Sequence, residues 1–225
     1  FEINVSNEFH FFTPSDSVQD VTLFAKYTLR ADEMFLNRMI GGTFEGSNDP
    51  DFREKEVLYL INEKPKRLQT VVQSYSSKSY RYVRYIGPKD SHCNIAEAAF
   101  YTPNDTASLK GKVIGTPGCF QKDGSHEYTN VFDGDVTTSF DYIEPSGGWS
   151  GLDLGTPKQI GRIVYTPRSY DNYIRSGDDY ELFYCARRNN WKSLGDQRSK
   201  ADSLIYIKIP VNALLLLCNN TRGIQ

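Results

Sequence analysis

Apolar positions along this chain fall in short runs and at alternate residues, the period of a pleated strand rather than of a helix. Segments rich in Val, Ile, Tyr, Phe and Thr predict strands at Phe1–Val5, Val21–Leu29, Thr43–Gly46, Val57–Ile61, Thr70–Gln73, Tyr80–Ile86 and Ala96–Tyr101. The series continues with an alternating run from Trp149, then Gly161–Thr166, Asp179–Cys185, Leu204–Ile209 and Ala213–Cys218. Gly, Pro, Asn or Asp bounds these segments, and no stretch sustains a helical period. Many short strands separated by turn signals predict an all-β sandwich or barrel.

A length of 225 residues suits one large domain or two of about half that size. An internal echo favours two. Val21–Leu29 is followed by the loop L-N-R-M-I-G-G, and Gly161–Thr166 by a loop containing N-Y-I-R-S-G-D. Each loop carries Asn, Arg and Gly in that order, which predicts two tandem β-sandwiches, 1–112 and 113–225.

Composition narrows the function classes. A formal net charge of -2 with 24% charged residues leaves no basic excess for nucleic acid and no basic stripe for an anionic membrane surface. The longest purely apolar run, Ala213–Cys218, is too short to span a bilayer, and no charged-then-apolar signal segment opens the chain. Starting on Phe rather than Met, the chain is expected to be a piece of something longer. Cys93, Cys119, Cys185 and Cys218 stand singly, without the C-x-x-C spacing of zinc or redox sites. Cys185 and Cys218 read as small apolar residues at strand ends, and both free thiols and a disulfide remain open.

Catalytic signatures are missing as well. His10, His92 and His126 are scattered, and Leu152 stands where the G-x-S-x-G nucleophile elbow requires Gly. The order Cys119, His126, Asp133 is a sequence coincidence until space brings the three together. The chain is expected not to be an enzyme.

The stretch Asn130–Gly155 carries the most chemistry. In Asp133-Gly134-Asp135-Val136-Thr137-Thr138 the glycine permits a sharp turn. Two carboxylates, a hydroxyl and backbone carbonyls can then converge as hard oxygen donors for calcium. An Asx-type turn without an ion is the alternative. With the downstream W-S-G-L-D-L-G, this turn resembles the discoidin-like family, also called coagulation factor 5/8 type C or galactose-binding-like domains, whose pattern runs F-D-G-D-x-x-T-x-F/W and then W-x-x-x-D-L-G. S-Y-R-Y-V-R-Y-I-G-P and C-N-I-A-E-A-A-F-Y resemble the family's R-Y-V-R strand and closing A-E segment. No D-G-D turn precedes these two, so the resemblance implies a calcium site in the second sandwich at least and leaves one in the first in doubt.

The resemblance implies jelly-roll sandwiches and a structural calcium ion held by Asp133, Asp135 and Thr138, partly through backbone oxygens. It implies a core position for Trp149, and ligand contacts from loops at one end of the sandwich. The most loaded loop is Arg168–Arg175, where Tyr170 and Tyr173 offer flat faces, and Asn172 and Arg175 planar donors, to a sugar. Alternatively, Asn172 and Arg175 stitch that loop to its own backbone, as Asn37 and Arg38 would in the first copy. Lys89, Asp90 and His92 in G-P-K-D-S-H form a second candidate. The function so implied is a non-catalytic carbohydrate-binding module of a larger bacterial protein, secreted, periplasmic or on the cell surface, and covalently joined to further domains. The alternative is a structural or partner-protein-binding spacer attached to a transglutaminase-like or glycan-degrading enzyme.

Overall fold

The computed structural model describes residues 14–26, 35–65, 69–169, 171–186 and 190–223. The expected strand Phe1–Val5, the last residues of Val21–Leu29 and the candidate ligand Tyr170 lie outside them. Among the described residues there are thirteen strands. In chain order they are β1 (Val18–Leu23), β2 (Thr43–Ser47), β3 (Lys55–Leu60), β4 (Thr70–Gln73), β5 (Ser79–Ile86), β6 (Glu97–Tyr101), β7 (Lys112–Gly115), β8 (Trp149–Gln159), β9 (Arg162–Thr166), β10 (Asp179–Cys185), β11 (Trp191–Arg198), β12 (Leu204–Pro210) and β13 (Leu215–Asn219). One 3-10 turn, Tyr128–Phe132, precedes the acidic turn. The fold is all-β, as the alternating pattern predicts.

The strands fall into two compact units, one formed by Thr28–Asp171 and the other by Phe1–Tyr27 with Asn172–Gln225. The junction expected between 112 and 113 therefore is not where the chain divides. Position 112 opens β7, which pairs with β8, and β8 pairs in turn with β5 from the expected first domain. β6 likewise pairs with β9. The R-Y-V-R and A-E-A-A-F-Y segments thus belong with the D-G-D turn and the W-S-G-L-D-L-G strand, in one unit.

In the larger unit a five-stranded antiparallel sheet, ordered β3-β2-β5-β8-β7, faces a three-stranded one, β4-β9-β6. Phe44 of β2 shows how they meet. Its ring lies 5.0 Å from Tyr85 in its own sheet, and 6.0 and 5.3 Å from Phe100 and Tyr165 in the other. Val83, Leu152, Ile163 and Phe140 complete one continuous buried cluster, so the unit is a β-sandwich. In β5, Tyr80 and Val83 both enter the core although three residues apart; a register shift between Tyr80 and Tyr82 absorbs the extra residue. Gly46 makes room for this, because a Cβ there would sit 2.6 Å from the Tyr80 ring.

The outward face of the larger sheet is not bare. Arg84 is held 2.7 Å from Glu45, with its guanidinium 4.0 Å over Phe52 and 5.2 Å over Trp149. Trp149 is therefore half-buried on the outer face of β8 beside Arg84 rather than in the core, because Ser150 and Leu152 take the inward positions.

In the smaller unit β1 pairs with β12, and β10 lies between β11 and β13. Tyr180, Leu182, Leu204, Tyr206, Ile209 and Leu217 form its core, with Val21 and Leu23 of β1 packed against it. All four cysteines are free thiols. Among the described residues, no helix is long and apolar enough to cross a membrane.

Candidate functional site

The acidic turn forms where the 3-10 turn ends at Asp133. Gly134 adopts φ +84, a left-handed conformation that a side chain would strain. Asp133 Oδ1 accepts the Asp135 N–H at 2.7 Å, closing an Asx turn, and its Oδ2 accepts the Thr138 hydroxyl at 2.8 Å. That hydroxyl also lies 2.8 Å from the Asp135 carbonyl oxygen, while Asp135 Oδ1 accepts the Thr137 N–H and hydroxyl. Asp133, Asp135 and Thr138 are thus brought together, as their spacing suggests.

Glu97, at the start of β6, is the residue that spacing missed. Its carboxylate accepts the Gly134 N–H at 2.8 Å. Burial pushes its pKa up to about 8, the Asp133 carboxyl beside it adds to the rise, and the Gly134 N–H offsets part of it. Glu97 thus keeps its proton near neutral pH, chiefly because burial disfavours its charged form. Glu97 also lines a cavity of about 230 Å³ with Leu109, Lys110, Phe132 and Leu152.

These oxygens have the chemistry of a hard-cation site. Among the described residues, however, no three His, Cys, Asp or Glu side chains are grouped to hold a metal ion. An ion at the turn would need backbone oxygens and the Thr138 hydroxyl as well as carboxylates.

The Arg168–Arg175 loop is divided between the units: Arg168, Ser169 and Asp171 belong to the sandwich, while Asn172, Tyr173 and Arg175 belong to the smaller unit. Asn172 is 1% exposed, and its carbonyl accepts the Lys26 N–H at 3.0 Å. The Arg175 guanidinium lies 5.1 Å over the Tyr173 ring, and its backbone N–H donates to the Tyr180 hydroxyl. In the sandwich, Arg38 reaches beyond its own loop and donates to Asn94 Oδ1 at 2.7 Å. Asn94 in turn donates to Asp141, which pairs with Arg168 at 2.6 Å. This chain of polar groups ties four segments of the sandwich together, and two of its members, Asn94 and Asp141, gave no local sequence signal.

The sequence order Cys119, His126, Asp133 does not become a cluster. Cys119 donates to Asp123, His126 Nδ1 contacts the Ser139 carbonyl and hydroxyl oxygens, and Asp133 serves the acidic turn.

In the G-P-K-D-S-H loop Asp90 and His92, and Cys93 just after it, all adopt positive φ, at 60, 55 and 53. His92 Nδ1 is 2.9 Å from the Tyr142 carbonyl, and its ring meets Phe120 edge-to-face at 5.1 Å. No protein-family model matches the chain, and comparison with curated proteins and with solved structures finds no match either.

Proposed function

We propose that the chain is a non-catalytic carbohydrate-binding module of a larger secreted or cell-surface bacterial protein, and that its sandwich is a galactose-binding-like jelly roll ordered by calcium. The observation that carries this reading is the meeting of Glu97 with Asp133, Gly134 and Thr138. A bound calcium ion would neutralise the clustered carboxylates. Glu97 positions the turn through Gly134, Asp135 N–H and Thr138 orient the Asp133 carboxylate, and β6 supplies a rigid base for the loop.

The test combines calcium and sugar. After chelation, adding calcium should raise the melting temperature of the wild-type chain by several degrees and that of Asp133→Ala by none. Glycan array screening at high protein concentration should then give hits above background. Equal calcium responses in the two proteins would remove the ion from the reading, and a blank array would remove the sugar.

A second reading, a spacer or protein-docking module beside a transglutaminase-like or glycan-degrading domain, draws on the internal use of the Arg168–Arg175 loop. A buried Asn172 and an Arg175 stacked on Tyr173 serve the smaller unit's own structure.

A further inference from the structure

We propose that Phe120 and His92, flanked by Lys89 and Asp90, form the pyranose-contacting platform of the sandwich. This rests on the reading of the chain as a glycan-binding module and moves the contact away from the Arg168–Arg175 loop. Phe120 is 56% exposed on a segment whose backbone is tied down on both sides: its N–H donates to the Asp141 carbonyl at 2.8 Å, and the Lys122 N–H closes back onto the Cys119 carbonyl. His92 is fixed from both sides, donating its N–H to the Pro145 carbonyl at 3.0 Å and accepting the Tyr142 N–H at 2.7 Å. Asp90 N–H donates to the Ser146 hydroxyl at 3.0 Å.

Three left-handed residues without a glycine among them are costly in backbone energy, and the surrounding bonds hold them there. The effect is to aim the His92 ring at Phe120.

The imidazole tautomer follows from its partner. A carbonyl oxygen only accepts, so Nδ1 carries the proton toward Tyr142 and Nε2 presents a lone pair. Phe120 offers a flat apolar face for the C–H side of a sugar ring, Nε2 an acceptor for a hydroxyl, and the exposed Lys89 and Asp90 further polar partners. Both walls rest on one buried residue, since the Asp141 carboxylate takes the Asn94 amide two residues beyond His92 and the Asp141 backbone carbonyl takes the Phe120 N–H. Rigid presentation lowers the ordering cost of binding, which suits the shallow contact a single sugar makes.

Calorimetry of the intact chain against glycans that score on the array, with and without calcium, tests this. Phe120→Ala should weaken binding at least about tenfold with an unchanged melting temperature. His92→Asn, which keeps a residue tolerant of positive φ, should weaken it by about three- to tenfold, and Tyr173→Ala should leave it intact. Undiminished affinity in Phe120→Ala would overturn the platform while leaving the glycan reading standing; a wild-type chain that binds no glycan would overturn both. If Phe120→Ala melts early, Lys89→Ala with Asp90→Asn decides in its place, and full affinity there overturns the platform.

Discussion

Glu97 shows how one side chain links fold to chemistry. In the folded chain it holds its proton up to about 8, whereas an ordinary carboxyl releases it near 4.5. The folded state thus binds more protons than the unfolded state across that window, and stability falls as pH rises through it. Without added calcium, the melting temperature should drop between those two pH values, and Glu97→Gln should flatten the profile. A slope unchanged by that substitution would place the titration elsewhere. Arg168 and Asp141 are coupled differently, as a buried pair at 2.6 Å. Removing one partner strands a charge, so Asp141→Ala should cost about 3–5 kcal/mol in urea unfolding of the sandwich. At this scale the acidic turn was legible, because Asp-Gly-Asp encodes its own local hydrogen bonds. Glu97 was not, since its partner Gly134 lies 37 residues away and only the packing of β6 against the 3-10 turn brings them together.

Among the elements, strands with strong alternation were readable and weak ones were not. β5, β6, β9 and β10 stand where Tyr, Val, Ile and Phe predict them. β11 was missed because W-K-S-L-G-D-Q-R is exposed along most of its length and offers little apolar signal. β7 was missed because four residues, K-V-I-G, are too few for a period to show. Trp149 was assigned to the core, but alternation alone does not say which face of a strand looks inward; the pairing of Val83 with Leu152 decides it. Phe44, which touches both sheets, gives the sharpest packing test. Phe44→Ala should cost about 3–5 kcal/mol and lower the sandwich transition while leaving the smaller unit's transition in place, as followed by hydrogen exchange of each unit's strands.

For the whole molecule, the repeated Asn, Arg and Gly loops suggested tandem copies, yet the strands pair across the expected junction. Pattern reveals that a segment is a strand but not which strand it joins, and β5 finds β8 across more than sixty intervening residues. Excision makes the point measurable. Residues 28–171 expressed alone should give the dispersed amide spectrum of a folded sandwich, whereas 113–225 should not, having lost β1 through β6. A folded 113–225 fragment would restore the tandem arrangement.

The pairing of β1 with β12 has a consequence for how the protein is made. Asp20 accepts the Lys208 N–H across 188 residues of chain. At a synthesis rate of about 5–20 residues per second, β1 leaves the ribosome roughly 10–40 s before its partner strand exists. Every strand of the sandwich is complete before then, so the interrupted unit is committed last, and β1 must stay unpaired and soluble through that interval. The polar and charged side chains exposed on it, Gln19, Asp20 and Thr22, are what an edge waiting in water requires.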